Sequence, residues 1–266
     1  MNELVEYLSG LQAGSLATPD GKPFLHEYRG ELSLHFESQT VQSRMRRNAP
    51  DKLVLDYTRA MMAFLLFVPA PARIAMIGLG GGSMAKYCLR TLPLADFTAV
   101  EISPEVIAFR SEFAIPPDSE RFRIVCGDGA DYVSNASTPV DALIVDGFDA
   151  NGQPPQLCSQ DFYDQCYARL SENGVLVANF WAANVDYGAC ISRMRRSFHD
   201  RVVSVSSEDP ENRIVFACKG PAFPPPEQDL LSRARELNAM HPINFEPMAA
   251  AILHRLRRRA GKKSAN

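Results

Sequence analysis

Four acidic residues lie where strand-like apolar runs give out, and their surroundings suggest what they could do. The run Ala142-Leu143-Ile144-Val145 ends in Asp146, and Asp149 follows three residues on. Two carboxylates at the mouth of a cleft attract an ammonium group, and one of them can take its proton. A primary amine becomes a nucleophile only when it loses that proton, because its reference pKa is roughly 10. The pair therefore suits a cationic amine attacking an electrophile; a turn carrying two solvated aspartates is the competing reading. A second run, Phe97-Thr98-Ala99-Val100, ends in Glu101, whose two oxygens can accept both hydroxyls of a ribose. Asp128 stands between Gly127 and Gly129, which let the backbone fold around a flat ring. Its carboxylate could accept from an exocyclic amine such as that of adenine, or simply cap a helix or turn.

The stretch that would hold an electrophile against these acids precedes them. Ala72-Arg73-Ile74-Ala75-Met76-Ile77 runs straight into Gly78-Leu79-Gly80-Gly81-Gly82, and a helix-like segment opens at Ser83-Met84. Gly78, Gly80 and Gly82 keep alternate positions free of Cβ, so the chain can turn sharply and approach a ligand closely. The free N–H groups of the helix start then face that ligand. Glu101 follows the loop by about twenty residues, the place of a ribose-binding carboxylate in dinucleotide-type folds. Loop and acid together imply a nucleoside-type ligand; a tight strand-to-helix turn with no ligand is the alternative.

The elements that must position these groups alternate along the chain. Strands are expected at Ile74–Ile77, Phe97–Glu101, Phe122–Cys126, Val140–Val145, Gly174–Asn179, Val202–Ser206 and Arg213–Ala217, with helices near Ser83–Arg90, from Pro104, after Gly129, around Phe162–Leu170 and over Tyr187–Phe198. Repeated strand–helix units mean an α/β fold with a doubly wound, seven-stranded, mostly parallel sheet, its last two strands antiparallel. Before it, Ser15-Leu16-Ala17, Phe24 to Tyr28, Leu32 to Phe36 and Thr40-Val41-Gln42 read as short strands of a small antiparallel sheet. Leu53, Val54, Tyr57, Met61, Phe64 and Leu65 recur at helical spacing, with Asp51 placed to cap. After the linker Pro221–Pro226 two helices are expected, near Glu227–Met240 and Pro247–Arg259. The division is residues 1–50 as an N-terminal β domain, 51–220 as the Rossmann-like catalytic domain with its leading helix, and 221–266 as C-terminal helices and a basic tail.

Composition narrows the class of function. The 266 residues are 46% hydrophobic and 22% charged, ordinary globular values, and the net charge of −3 does not suggest nucleic-acid binding. The basic cluster Arg255, Arg257, Arg258, Arg259, Lys262 and Lys263 reads as a solvated helix end. Six cysteines lack any CxxC pair, so no metal is expected, and Cys126 and Cys218 read as core thiols. Met1 to Gly10 carries two glutamates and no apolar core, and the apolar run Met61 to Ala70 is too short to span a bilayer. A reduced, cytoplasmic protein is expected, with no nucleic-acid or membrane partner.

These residues resemble a known family, the polyamine aminopropyltransferases, which includes the spermidine synthases. The likeness runs through Gly78-Leu79-Gly80-Gly81-Gly82, Val100-Glu101-Ile102-Ser103-Pro104, Gly127-Asp128-Gly129-Ala130, Asp146-Gly147-Phe148-Asp149 and Asp161-Phe162-Tyr163. It implies a class I methyltransferase-like fold, a homodimer, and decarboxylated S-adenosylmethionine as co-substrate, with no cofactor bound covalently. By that resemblance Glu101 holds the ribose and Asp128 the adenine amine. Asp146 is the base for the attacking amine, such as putrescine, and Asp149 helps to bind it. Tyr57 matches a substrate-binding tyrosine, and Gln42 a glutamine that the family places near the substrates. The chain departs from the family in three places. Gly81 stands where the loop usually carries an aspartate for the aminopropyl amine, Thr58-Arg59 replaces His-Glu, and Ala150 replaces a proline. Arg59, facing the cleft, would repel a diamine and favour a carboxylate; facing solvent, it would do neither. Trp181 could wall the pocket or belong to the core, and Asn151 to Leu157 could form a partly stiff lid. Two other readings stand beside the first: a methyltransferase using ordinary S-adenosylmethionine, and a homologue that binds a nucleoside without turnover.

Overall fold

The computed structural model describes residues 22–36, 41–148, 152–181, 186–209 and 211–264. Three short strands, β1 (Phe24–Tyr28), β2 (Glu31–His35) and β3 (Val41–Arg46), form an antiparallel sheet in the order β1-β2-β3. The expected Ser15–Ala17 strand lies outside the described residues. Next come α1 (Asp56–Met61), a 3₁₀ turn at Met62–Leu66, β4 (Arg73–Ile77), α2 (Ser83–Thr91), β5 (Asp96–Glu101), α3 (Pro104–Ala108), β6 (Phe122–Cys126), α4 (Gly129–Asn135) and β7 (Val140–Val145). A 3₁₀ turn at Pro155–Cys158 leads to α5 (Gln160–Arg169), β8 (Leu170–Trp181), α6 (Tyr187–Ser197), β9 (Val202–Ser206), β10 (Asn212–Cys218), α7 (Glu227–Met240) and α8 (Glu246–Ser264).

Strands β4 to β10 make one seven-stranded sheet in the order β6-β5-β4-β7-β8-β10-β9. The first five run parallel, and β10 is antiparallel to both neighbours. Alternation within each strand feeds two separate cores, because successive side chains point to opposite faces. Ile74, Met76, Ala142, Ile144, Val175 and Val177 face α1, α2 and the C-terminal helices. Ala75, Ile77, Leu143, Val145, Leu176 and Ala178 face α5 and α6. Burial on both faces is why these strands read as continuous apolar runs.

Some expectations are corrected. The leading helix does not start at a capping Asp51. Asp51 pairs with Arg90 of α2, Leu53 is buried, and the helix begins at Asp56 with no side-chain cap at Leu55. Cys126 is exposed rather than a core thiol, because it ends the edge strand β6; Cys218 is buried as expected. The C-terminal basic cluster is also partly structural. Arg259 pairs with Asp200 and donates to the carbonyls of Asp200 and Val202, and Arg257 pairs with Glu227. Among the described residues no helix is long and apolar enough to cross a membrane, and no cluster of metal-ligating side chains occurs.

The parallel ladder continues one step past the strands. Gly78 N donates to Val100 O at 2.8 Å, Asp146 N to Ile77 O at 2.9 Å and Gly127 N to Glu101 O at 2.9 Å. The ends of β4 and β7 therefore press together, and Gly78 adopts φ +93°, where a Cβ would lie 2.3 Å from the Asp146 carbonyl oxygen. Gly78→Ala adds left-handed strain to a backbone collision. We expect it to lower unfolding free energy by at least about 2 kcal/mol, read from the urea midpoint at unchanged m-value.

Candidate active site

Beyond these strand ends lies a cavity of about 630 Å³ that gathers most of the sequence-predicted groups. Gly78 and Gly80 line it from the loop after β4, Glu101 from the end of β5, Asp128 and Gly129 from the β6–α4 turn, and Asp146 from the end of β7. Tyr57 enters from α1 and Gln42 from β3. Gly82 does not reach the wall. It sits at φ +64° as the residue before α2, packed on Ile115. Asp149 lies outside the described residues.

Glu101 is only 9% exposed, and both its oxygens already hold the site's framework. Oε2 accepts from Leu79 N at 2.9 Å and Oε1 from Ser103 N at 3.0 Å. A carboxylate accepts about four hydrogen bonds, so each oxygen keeps capacity for a ligand hydroxyl. The same acid thus shapes the glycine loop and faces the cavity. Asp128 is a helix cap, as one of its readings expected, and it also lines the cavity. Its Oδ1 caps α4 by accepting from Ala130 N at 2.7 Å, while Oδ2 accepts from Gln156 Nε2 at 3.3 Å. Gln156 belongs to the segment after Asn151, of which Gly152, Pro154 and Leu157 also line the cavity.

Asp146 lies on the sheet face that carries α1, following Ala142 and Ile144 in parity. Its Oδ1 accepts from Asn179 Nδ2 at 3.0 Å. Burial raises its pKa above the usual carboxylate value, against the opposing pull of the Asn179 amide and the Tyr57 hydroxyl. Tyr57 responds in kind: burial first, then the Asp146 charge, hold its phenol well above its ordinary pKa. Asp146 is thus a proton acceptor held at higher affinity than a surface aspartate. Asn179 is 3% exposed, and among the described residues its Oδ1 has no hydrogen-bond partner although the residue lines the cavity.

Arg59 does not enter the cavity. Its guanidinium donates to the carbonyls of Leu53 and Val54 and pairs with Glu208 at 3.3 Å. Gly81 lies off the wall as well, and a Cβ there would come 2.7 Å from both the Phe113 ring and the Ser43 hydroxyl. Trp181 does wall the pocket, 44% exposed, as does Ile102, 62% exposed. Sequence reasoning gave no site role to Ile102, Asn179, Asp56, Asp209 or Glu211, all of which line the cavity. Ile102 and Asn179 are strand-end residues, the signal used for Glu101 and Asp146. Asp209 and Glu211 lie in a turn with three acids, which read only as a hairpin.

The chain is similar to known proteins. The family model for the spermine/spermidine synthase domain matches residues 55–202. The chain is 40% identical over 214 residues to a polyamine aminopropyltransferase of Chromobacterium violaceum, covering 80% of this chain and 82% of that one. It is 39% identical over 225 residues to one of Neisseria meningitidis, covering 83% and 84%. Among solved structures, spermidine synthase in complex with the transition-state analogue AdoDATO superposes with a TM-score of 0.66 at 20% identity, covering 87% of this chain and 85% of that one. Human methyltransferase-like protein 13 in complex with SAH shares the fold with a TM-score of 0.64 at 21% identity, covering 70% and 92%. With more than half of its length matched by the family model and four-fifths by a close relative, the chain belongs to the spermine/spermidine synthase family.

Proposed function

We propose that the chain transfers the aminopropyl group of decarboxylated S-adenosylmethionine to a di- or polyamine such as putrescine. The observation that carries this reading is the charge of the cavity. Its described lining includes six carboxylates, those of Asp56, Glu101, Asp128, Asp146, Asp209 and Glu211, and no lysine, arginine or histidine. Both substrates of the reaction are cations, and a low-dielectric cleft strengthens their attraction to fixed carboxylates. Ordinary S-adenosylmethionine brings a carboxylate that no basic side chain of this lining would meet, which counts against the methyltransferase reading. The named activity of relatives about 40% identical supports the same choice.

In this reading Glu101 binds the ribose and Asp128 the adenine amine, with Ile102 supplying an apolar face beside the ring. The acceptor ammonium meets Asp146, which takes its proton. The freed lone pair attacks the aminopropyl carbon beside the sulfonium, the carbon–sulfur bond breaks, and its electrons neutralise sulfur in the departing methylthioadenosine. Asn179 and Tyr57 orient the base. Holding both partners in line can contribute up to roughly 7–11 kcal/mol to the barrier reduction.

Three variants test this reading. For Asp146→Asn, kcat should fall by at least about 10²-fold while methylthioadenosine affinity, read by calorimetry, stays within about twofold. Its Tm at neutral pH should not fall. A carboxylate whose folded pKa lies above its unfolded one costs stability as pH rises between the two values, and the amide removes that cost. Because Asp146 must be ionised, kcat/KM for the amine should drop as pH falls through its raised pKa. Asn179→Ala removes a hydrogen bond to the ionised form and should move that acid limb to higher pH; an unmoved limb would take Asp146 out of the base role. Gly81→Asp, which would bring back the aspartate usual in the family, should lower Tm without tightening co-substrate binding, since Phe113 and Ser43 leave it no room.

A further inference from the structure

A second cavity, of about 130 Å³, shares no lining residue with the first. Its walls are the end of α4 with the chain that leaves it, and the last turns of α5. Arg169, the last residue of α5, stands in this wall only 7% exposed, and no acid lines the cavity with it. Its Nε and Nη1 are buried and have no acceptor among the described residues. The guanidinium carbon lies 5.7 Å from the centroid of the Tyr132 ring, so an aromatic face covers the plane and leaves those edge donors unserved.

The acceptors close by in the chain and the sheet are already taken. Lys219 Nζ donates to Leu170 O at 2.7 Å and to Ala168 O at 3.4 Å, so it serves the end of α5 in place of Arg169. Asp141 follows Val140, the sheet partner of Leu170. Its Oδ1 accepts from the Ser171 hydroxyl and its Oδ2 from Ala72 N and Arg73 N. A buried ionisable group without a counter-charge ordinarily gives up its charge, but a guanidinium cannot shed its proton. Arg169 therefore stays a cation, at a cost that a bound anion can offset.

We propose that this cavity binds a tetrahedral oxyanion, a phosphate or sulfate group, with Arg169 as its principal ligand. The planar donors of a guanidinium match the oxygens of such a group. The Ser137 hydroxyl and the Gln165 amide line the same cavity as further donors. The Lys219 ammonium at the end of α5 adds long-range attraction. The site is independent of the aminopropyltransferase reading. The acid-lined first cavity repels such an ion, so α4 and α5 carry sites of opposite charge at their two ends.

Calorimetry on the full chain tests this with inorganic phosphate and sulfate as free ions and glycerol phosphate as an ester. At least one probe should bind one to one with a Kd of about 1 mM or tighter and raise Tm as its concentration rises. Arg169→Gln should weaken that binding at least about 10-fold, with circular dichroism matching the wild type. Ser137→Glu, which sets a carboxylate in the cavity with the guanidinium, should weaken it as much and raise Tm without any ion. This second variant keeps Arg169 and decides the matter if Arg169→Gln does not fold. A wild type that binds none of the probes at about 10 mM overturns the site, water then sufficing for Arg169. Binding that either folded variant leaves unchanged overturns it as well.

Discussion

The site depends on one row of main-chain hydrogen bonds. Gly78 to Val100, Asp146 to Ile77 and Gly127 to Glu101 extend the parallel ladder one residue beyond three strands, β4, β7 and β6. Each bond fixes where a strand stops, and the residue at that stop is a glycine of the loop, Glu101 or Asp146. A parallel sheet with covered faces is stiff, so these groups keep their spacing without help from the loops above them. Gly78 makes the row possible, since any Cβ there would occupy the Asp146 carbonyl.

Face parity then sorts the functional side chains. Asp146 continues the side of Ala142 and Ile144, and Asn179 that of Val175 and Val177, which is the side covered by α1. Tyr57 therefore meets Asp146 although nearly ninety residues separate them in the chain. The same helix carries Asp56 and Arg59, which hold the β9–β10 hairpin through Asp209 and Glu208. One short helix thus joins Asp146 to the far rim of the cavity. Its start at Asp56 rather than Asp51 leaves Arg59 turned toward the carbonyls of Leu53 and Val54 and away from the cleft.

The charge gathered in the cavity carries a cost to the fold. Carboxylates brought together without cations repel, and burial raises the proton affinity of Asp146. In the proposed reaction both effects reverse when a cationic substrate enters, which favours its binding. The missing loop aspartate fits this view. Gly81 is packed against Phe113 and Ser43, and negative charge has been laid instead along the wall made by α1 and the hairpin.

Much of this was legible before any coordinates. Continuous apolar runs ending in glycine or acid predicted the parallel strands, and β7 falls on the expected residues because burial on both faces leaves little latitude in composition; β6 and β9, the edge strands, also fall where expected. Glu101, Asp128 and Asp146 were found by the same rule, since a strand end in such a sheet faces the ligand cleft. What the sequence could not show was anything set by contact across the chain. Asp128 caps a helix and meets Gln156, Cys126 is exposed because β6 is an edge, and Asn179 becomes a partner of Asp146 through strand pairing. Asp209 and Glu211 read as turn chemistry, because local composition is the same whether a hairpin points to water or closes a cavity. The strand-end runs determined that Glu101, Asp128 and Asp146 reach the cavity; the antiparallel return of β10 beside β8 decided which further acids join them there.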